Sequence, residues 1–67
     1  MGWSIVRTPR DRAGIEVKVG DYLVVKREGM KPWRGQVVLL RPNEVELLDT
    51  MGKRRQARPS ECEVLRR

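Results

Sequence analysis

A thiol lies between two carboxylates near the end of the chain, in Glu61, Cys62 and Glu63. Carboxylates two residues apart share one face of a strand, and such a pair can act as a general acid and base. The chain has no histidine, so it lacks the usual general base and any His-activated nucleophile. We therefore interpret the glutamates as solvated surface residues and Cys62 as a small core residue. The sequence predicts no catalytic site, and we expect that the protein is not an enzyme.

Basic residues indicate a binding function instead. Residues 53–58, KRRQAR, hold four cations and no acid, and the whole chain has 15 Lys and Arg against nine Asp and Glu, for a net charge of +6. Contacts between such side chains and phosphates are favourable because they release condensed counterions. We predict binding to the phosphate backbone of DNA or RNA with little sequence specificity, since nothing in the sequence resembles a helix that reads the major groove.

A structural explanation of the same basic stretch stays open. Charges on an edge strand prevent edge-to-edge aggregation, and that role alone would account for KRRQAR. The preceding stretch carries Glu44, Glu46 and Asp49. Cross-strand pairing with these acids would neutralise part of the basic charge.

Trp33 lies between Pro32 and Arg34 and has two interpretations. In the first, its ring packs over the end of a small core beside Pro32, and Gly35 lets the strand bend. In the second, the ring is a stacking platform for a base, with cations nearby. A half-exposed ring would allow both. The predicted nucleic-acid-binding residues are Lys31, Trp33, Arg34, Lys53, Arg54, Arg55 and Arg58.

Short apolar stretches with a period of two, separated by Gly, Pro and Asn, predict an all-β protein. The pattern places Leu23, Val25, Val45 and Leu47 inside, and Glu44 and Glu46 outside. Residues 1–14 are expected to form a flexible basic arm, with a short strand at 3–6, and residues 15–67 a small five-stranded barrel. Strands are predicted over 22–27, 33–40, 44–49, 53–58 and 62–65, with one helical turn at 59–61.

Cys62 is the only cysteine, which excludes an intramolecular disulfide and a multi-thiolate metal site. We therefore expect a reducing compartment, the cytoplasm, and no metal or cofactor. No apolar run approaches the length of a membrane span, so no membrane association is expected. A chain of 67 residues builds only a small core, and a monomer or a small homo-oligomer is expected.

The pattern over residues 17–65 resembles an SH3-like barrel of the Tudor and KOW kind. The resemblance is carried by Gly20-Asp21, the strand at 22–27, Trp33-Arg34-Gly35, the EVEL strand and RPSECEVL at 58–65. Within that fold the chain is similar to the DNA-binding C-terminal domain of retroviral integrases, in its Trp33-Arg34-Gly35 step and its basic strand at 53–58. This similarity implies that the nucleic-acid backbone is contacted by Arg34, Lys53, Arg54, Arg55 and Arg58.

Two other functions remain alternatives. One is a protein-interaction module or accessory subunit, although a Tudor cage for methylated lysine needs several aromatic residues and this chain has only Trp3, Tyr22 and Trp33. The other is a tetrameric, NADPH-binding reductase, since residues 20–38 resemble the type II dihydrofolate reductases. The pore strand of that family is Val-Gln-Ile-Tyr-Pro, and residues 55–59 here keep only its Gln and Pro.

Overall fold

The computed structural model describes residues 8–65, which form one antiparallel sheet. The prediction of an all-β protein with five strands and one helical turn before the last is confirmed. The predicted strand at 3–6 and the C-terminal residues 66–67 lie outside the described residues. In chain order the elements are β1 (Tyr22–Val25), β2 (Trp33–Arg41), β3 (Glu44–Asp49), β4 (Arg54–Ala57), a 3₁₀ turn (Pro59–Glu61) and β5 (Cys62–Val64).

The strand order across the sheet is β4-β3-β2-β1-β5. Strands β1 to β4 form a meander, and β5 returns to pair with β1 on its other side. Pro59 begins the 3₁₀ turn that makes this return. Its fixed φ suits the first helical position, and because it has no backbone N–H it cannot donate a hydrogen bond to a continued strand ladder. Within residues 8–65 the basic strand β4 is therefore at an edge of the sheet.

The inner side chains of all five strands meet in one buried cluster. Successive residues of a strand point to opposite faces, and the inner residues of all five strands reach one cluster only if the sheet curls around its core. The predicted inward positions on β1 and β3 are confirmed, and Cys62 is also fully buried. The cluster consists of Val17, Leu23, Val25, Val37, Val45, Leu47, Ala57 and Cys62.

The long apolar run of β2 contains an irregularity. Its register with β3 shifts between Val37 and Leu39, as in a β-bulge. Val37 is buried and Leu40 packs against the core, whereas Leu39 is exposed. A bulge bends its strand and breaks the alternation. The run is therefore apolar because the strand curves.

Residues 8–14 belong to the folded domain and do not form part of a separate arm. Arg10 and Glu16 form an isolated antiparallel β-bridge through their backbones, and the Val17 N–H donates to the Pro9 carbonyl. The buried carboxylate of Asp11 accepts hydrogen bonds from the backbone N–H groups of Ala13 (2.9 Å), Ile15 (2.8 Å) and Val64 (2.8 Å). The prediction placed the domain boundary at residue 14 because charged stretches such as residues 10–12 are usually exposed, and nothing in the sequence indicates that Asp11 is buried.

The hydrogen bonds of this N-terminal segment also cover one edge of the sheet. The Arg12 N–H donates to the Cys62 carbonyl at 2.9 Å, so the segment lies along β5. Strand β4 has no second strand beside it within residues 8–65. None of the helical structure within this range is long and apolar enough to cross a membrane.

Candidate nucleic-acid interface

The side chains of Trp33 and Arg55 meet at one end of the sheet. Trp33 begins β2 opposite Val25, and Arg55 lies in β4 opposite Leu47, so both project from the inner face. The guanidinium carbon of Arg55 lies 3.9 Å from the centroid of the indole ring. This is a cation–π contact, and it holds the Arg55 guanidinium of the edge strand against the Trp33 ring, which packs against the core.

Gly35 makes room for this arrangement. A Cβ atom at residue 35 would lie 2.8 Å from the Leu48 carbonyl oxygen, 2.9 Å from the Leu47 Cβ and 3.2 Å from the Trp33 Cζ3. Backbone and core side chains therefore close on this position too tightly for any other residue. Trp33 is half-buried and packs against the core, which is the first of its two predicted roles.

Arg55 and three cations that are near the Trp33–Arg55 contact in the chain lie at the same end of the sheet, and we call these four residues the basic end: Lys31, Arg34, Lys53 and Arg55. Lys31 precedes Trp33 by two residues, and Lys53 precedes Arg55 by two. Arg34 follows Trp33 directly and lies opposite Val24, so it projects from the outer face at the same end of the sheet. Lys31, Arg34 and Lys53 are exposed, and Arg55 is partly buried. None of the four forms a salt bridge with another residue in the range 8–65.

Four glutamates are engaged with other cations. Arg27 binds both carboxylate oxygens of Glu61, at 2.8 and 3.2 Å. The hydrogen bonds from Arg27 lower the pKa of Glu61, and the hydrogen bond from the Arg58 backbone N–H lowers it further. The Arg27–Glu61 hydrogen bonds also raise the pKa of Arg27. Three more salt bridges lie within residues 8–65: Lys26–Glu63 at 3.2 Å, Arg41–Glu44 at 3.1 Å and Arg54–Glu46 at 3.4 Å.

Asp49, at the end of β3, is close to the basic end but serves the turn into β4. Its Oδ1 accepts hydrogen bonds from the backbone N–H groups of Met51 (2.8 Å) and Lys53 (2.9 Å). Gly52, with a φ of 79°, supplies the left-handed residue that this turn needs. The turn therefore positions Lys53, while the Asp49 carboxylate forms no salt bridge with the described cations.

The structure separates two predicted residues from the basic end. Arg54 projects from the outer face of β4 and pairs with Glu46, so some of the basic charge of this strand is neutralised. Glu46 was predicted to be exposed, but only 9% of its surface is exposed. The long side chain of Arg54 lies beside it on the same face and shields it. Arg58 follows β4, at the end opposite Lys53.

Arg58 lines a groove together with two arginines that the sequence analysis assigned to an arm. This arginine groove, of about 980 Å³, brings Arg10 and Arg12 beside Arg58, between the N-terminal segment, the β2–β3 turn and the 3₁₀ turn. The sequence carries no signal for this meeting, because it depends on the packing of the N-terminal segment.

Cys62 has the environment of a core residue. Its thiol is fully buried and donates to the Arg58 carbonyl oxygen at 3.3 Å. Burial, with smaller contributions from the charges of Glu61 and Asp11, raises the pKa of this thiol to about 11. The thiol is therefore protonated at neutral pH and is a poor nucleophile. Residues 8–65 also bring together no group of three His, Cys, Asp or Glu side chains suited to a metal ion.

The geometry thus combines an edge strand, a stacked Trp33–Arg55 pair and cations that have no acidic partner within residues 8–65. Comparison of the chain with protein-family models, with curated proteins and with solved structures finds no match.

Proposed function

We propose that this protein binds the phosphate backbone of nucleic acid, with little sequence specificity, through the basic end. The observation that carries the proposal is the distribution of charge. Four salt bridges engage Glu44, Glu46, Glu61 and Glu63 elsewhere, whereas the four cations of the basic end have no carboxylate partner among the described residues. Unpaired cations do not have to break a salt bridge before they contact phosphate.

Arg55 is well suited to such a contact. Its stacking on Trp33 limits the rotamers of the side chain before binding, so less conformational entropy is lost when a phosphate is bound. A guanidinium also offers a planar fork of donors that matches two phosphate oxygens. Trp33 would then act mainly by orienting Arg55, and an unstacked base would contact the guanidinium plane or the exposed part of the indole.

The strand order and the 3₁₀ turn between β4 and β5 support the proposed kinship with SH3-like barrels. Small barrels of this kind host many functions, so the assignment of function rests on the charges and not on the fold.

A salt titration tests the proposal. We would measure the affinity for fluorescein-labelled single- and double-stranded DNA and RNA by fluorescence anisotropy at several salt concentrations. Four phosphate contacts predict a slope of log affinity against log salt of about −2.8 for single strands and about −3.6 for duplex DNA. Lys31→Gln, Arg34→Gln and Lys53→Gln should each make the slope shallower by about 0.7 to 0.9.

Lys18→Gln is the matched control, because it removes the same charge from an exposed lysine that belongs neither to the basic end nor to the arginine groove. It should leave the slope unchanged. No binding by the wild-type protein at low salt would refute the proposal. In that case sedimentation analysis and an NADPH titration would test the tetrameric reductase alternative, which a monomer excludes.

A further inference from the structure

The arginine groove is formed by three separate parts of the chain. Arg10 and Arg12 come from the N-terminal segment, Asn43 from the β2–β3 turn, and Arg58 and Ser60 from the connection between β4 and β5. Three guanidinium groups and the polar side chains of Asn43 and Ser60 line one open cleft. All five are potential donors to an anion.

The groove has a net positive charge, because three arginines line it beside two acids, Asp11 and Glu16. Arg10, Arg12 and Arg58 form no salt bridge with a carboxylate of the described residues. Glu16 lines the groove next to Arg10, with which it forms a β-bridge. The two oxygens of Asp11 already accept three backbone N–H groups, from Ala13, Ile15 and Val64. Its carboxylate is therefore held by the fold rather than by the arginines.

Strand β4 connects the groove to the basic end. Lys53 lies just before this strand and Arg58 just after it. The five residue steps between them span about 17 Å at ~3.3 Å per residue. The outer edge of β4 has no strand partner within residues 8–65 and so offers backbone N–H groups along this path.

We propose that the arginine groove binds further phosphates of the same nucleic-acid strand, which follows the edge of β4 from the basic end to the groove. This inference rests on the proposed function and adds a second contact region and a minimum length of ligand. A span of ~17 Å corresponds to about five nucleotides of one strand at the duplex rise of 3.4 Å, and to fewer in an extended single strand. A trinucleotide has only two phosphodiester groups, which are one linkage apart. A trinucleotide therefore reaches one site only, and a decanucleotide reaches both.

The test compares the oligothymidylates dT3 and dT10. With four contacts at the basic end and three in the groove, dT10 should show a salt slope of about −5, at ~0.7 per contact. The triple variant Arg10→Gln, Arg12→Gln, Arg58→Gln should reduce this slope to about −3. The same ~0.7 per contact corresponds to about a 100-fold loss of affinity at ~0.1 M salt. The affinity of the triple variant for dT3, measured by competition at low salt, should match that of the wild type.

Arg12→Gln alone protects the test against misfolding. The Arg12 side chain makes no hydrogen bond within the described residues, whereas Arg10 donates to the Gly14 carbonyl at 2.9 Å. The single variant should lose about fivefold in affinity for dT10, equivalent to one contact at ~0.1 M salt. Lys18→Gln again controls for net charge, and circular dichroism confirms the fold of each variant.

The outcomes separate this inference from the proposed function. The groove is not part of the interface if the triple variant binds dT10 with the same salt slope as the wild type while the Lys53→Gln variant shows a shallower slope. An equal loss of affinity for dT3 and dT10 would mean that the arginines act only through net charge, which also overturns the inference. If the wild-type protein binds neither oligonucleotide, both proposals fail.

Discussion

Arg54 and Arg55 are neighbours in the chain with opposite roles in the structure, so they provide a matched pair of substitutions. Arg54 projects outward and pairs with Glu46 at 3.4 Å, while Arg55 projects inward and stacks on Trp33 at 3.9 Å. Arg54→Gln and Arg55→Gln remove the same charge at almost the same place. We expect Arg55→Gln to weaken nucleic-acid binding and Arg54→Gln to leave it nearly unchanged.

The expected magnitudes follow from the contacts. One phosphate contact contributes about 0.7 to the salt slope for a single strand, so its loss at ~0.1 M salt lowers the affinity about fivefold. Arg54 has to leave Glu46 before it can contact phosphate, and we expect less than about a twofold change for its variant.

Both substitutions should leave the fold intact. The Arg54 side chain is 71% exposed, so its salt bridge contributes at most about 1 kcal/mol to stability. The cation–π contact of Arg55 contributes about 0.5 to 1 kcal/mol. Urea unfolding should therefore show two small and similar losses, and a difference in binding between the variants would not reflect a difference in folding.

The assay is the anisotropy titration with dT10, repeated across salt concentrations for both variants and for Lys18→Gln. If Arg54→Gln weakened binding as much as Arg55→Gln, binding would follow the total charge of β4 and the basic end would not be a distinct site. If Arg55→Gln had no effect, the stacked pair would be structural only.

Three further substitutions test the packing that positions the site. Gly35→Ala should destabilise the protein by about 1 to 3 kcal/mol in urea unfolding, because the new methyl group meets the Leu48 carbonyl at 2.8 Å; unchanged stability would contradict the close packing. Asp11→Asn should cost about 1 to 3 kcal/mol, since an amide cannot accept from all three backbone N–H groups, and a neutral result would argue against the buried carboxylate. Cys62 has a pKa raised to about 11, so the folded state favours the thiol and stability falls as the pH rises above the unfolded pKa of about 8.5 to 9. The expected loss is about 1.5 to 2 kcal/mol at pH ~10, absent in Cys62→Ala, and parallel pH profiles for the two proteins would refute it.

The outcome at individual residues shows how much the amino-acid pattern could predict. The inward positions of β1 and β3 follow from alternation alone, because successive side chains of a strand point to opposite faces whatever their neighbours are. The 3₁₀ turn follows from Pro59, and the edge position of β4 from arginines on both of its faces. The bulge in β2 was visible only as an apolar run that does not alternate.

Pairing between distant residues could not be predicted in the same way. Arg27 and Glu61 are 34 residues apart, and Lys26 and Glu63 are 37 apart. Which cations meet acids depends on strand order and register, and these decide that Arg54 is paired and Arg55 is not. The burial of Asp11 likewise depends on the Val64 N–H, which lies 53 residues further along the chain.

The sequence by itself therefore determined the strands, their inward faces and the excess of positive charge, since each is set by local alternation or by composition. Only the tertiary structure decided where that charge is uncompensated. Folding brings Arg10 and Arg12 to Arg58, stacks Arg55 on Trp33 and engages four glutamates with other cations. The physical reason is that electrostatic and packing contacts depend on distances of a few ångströms between residues remote in the chain, and no local pattern encodes those distances.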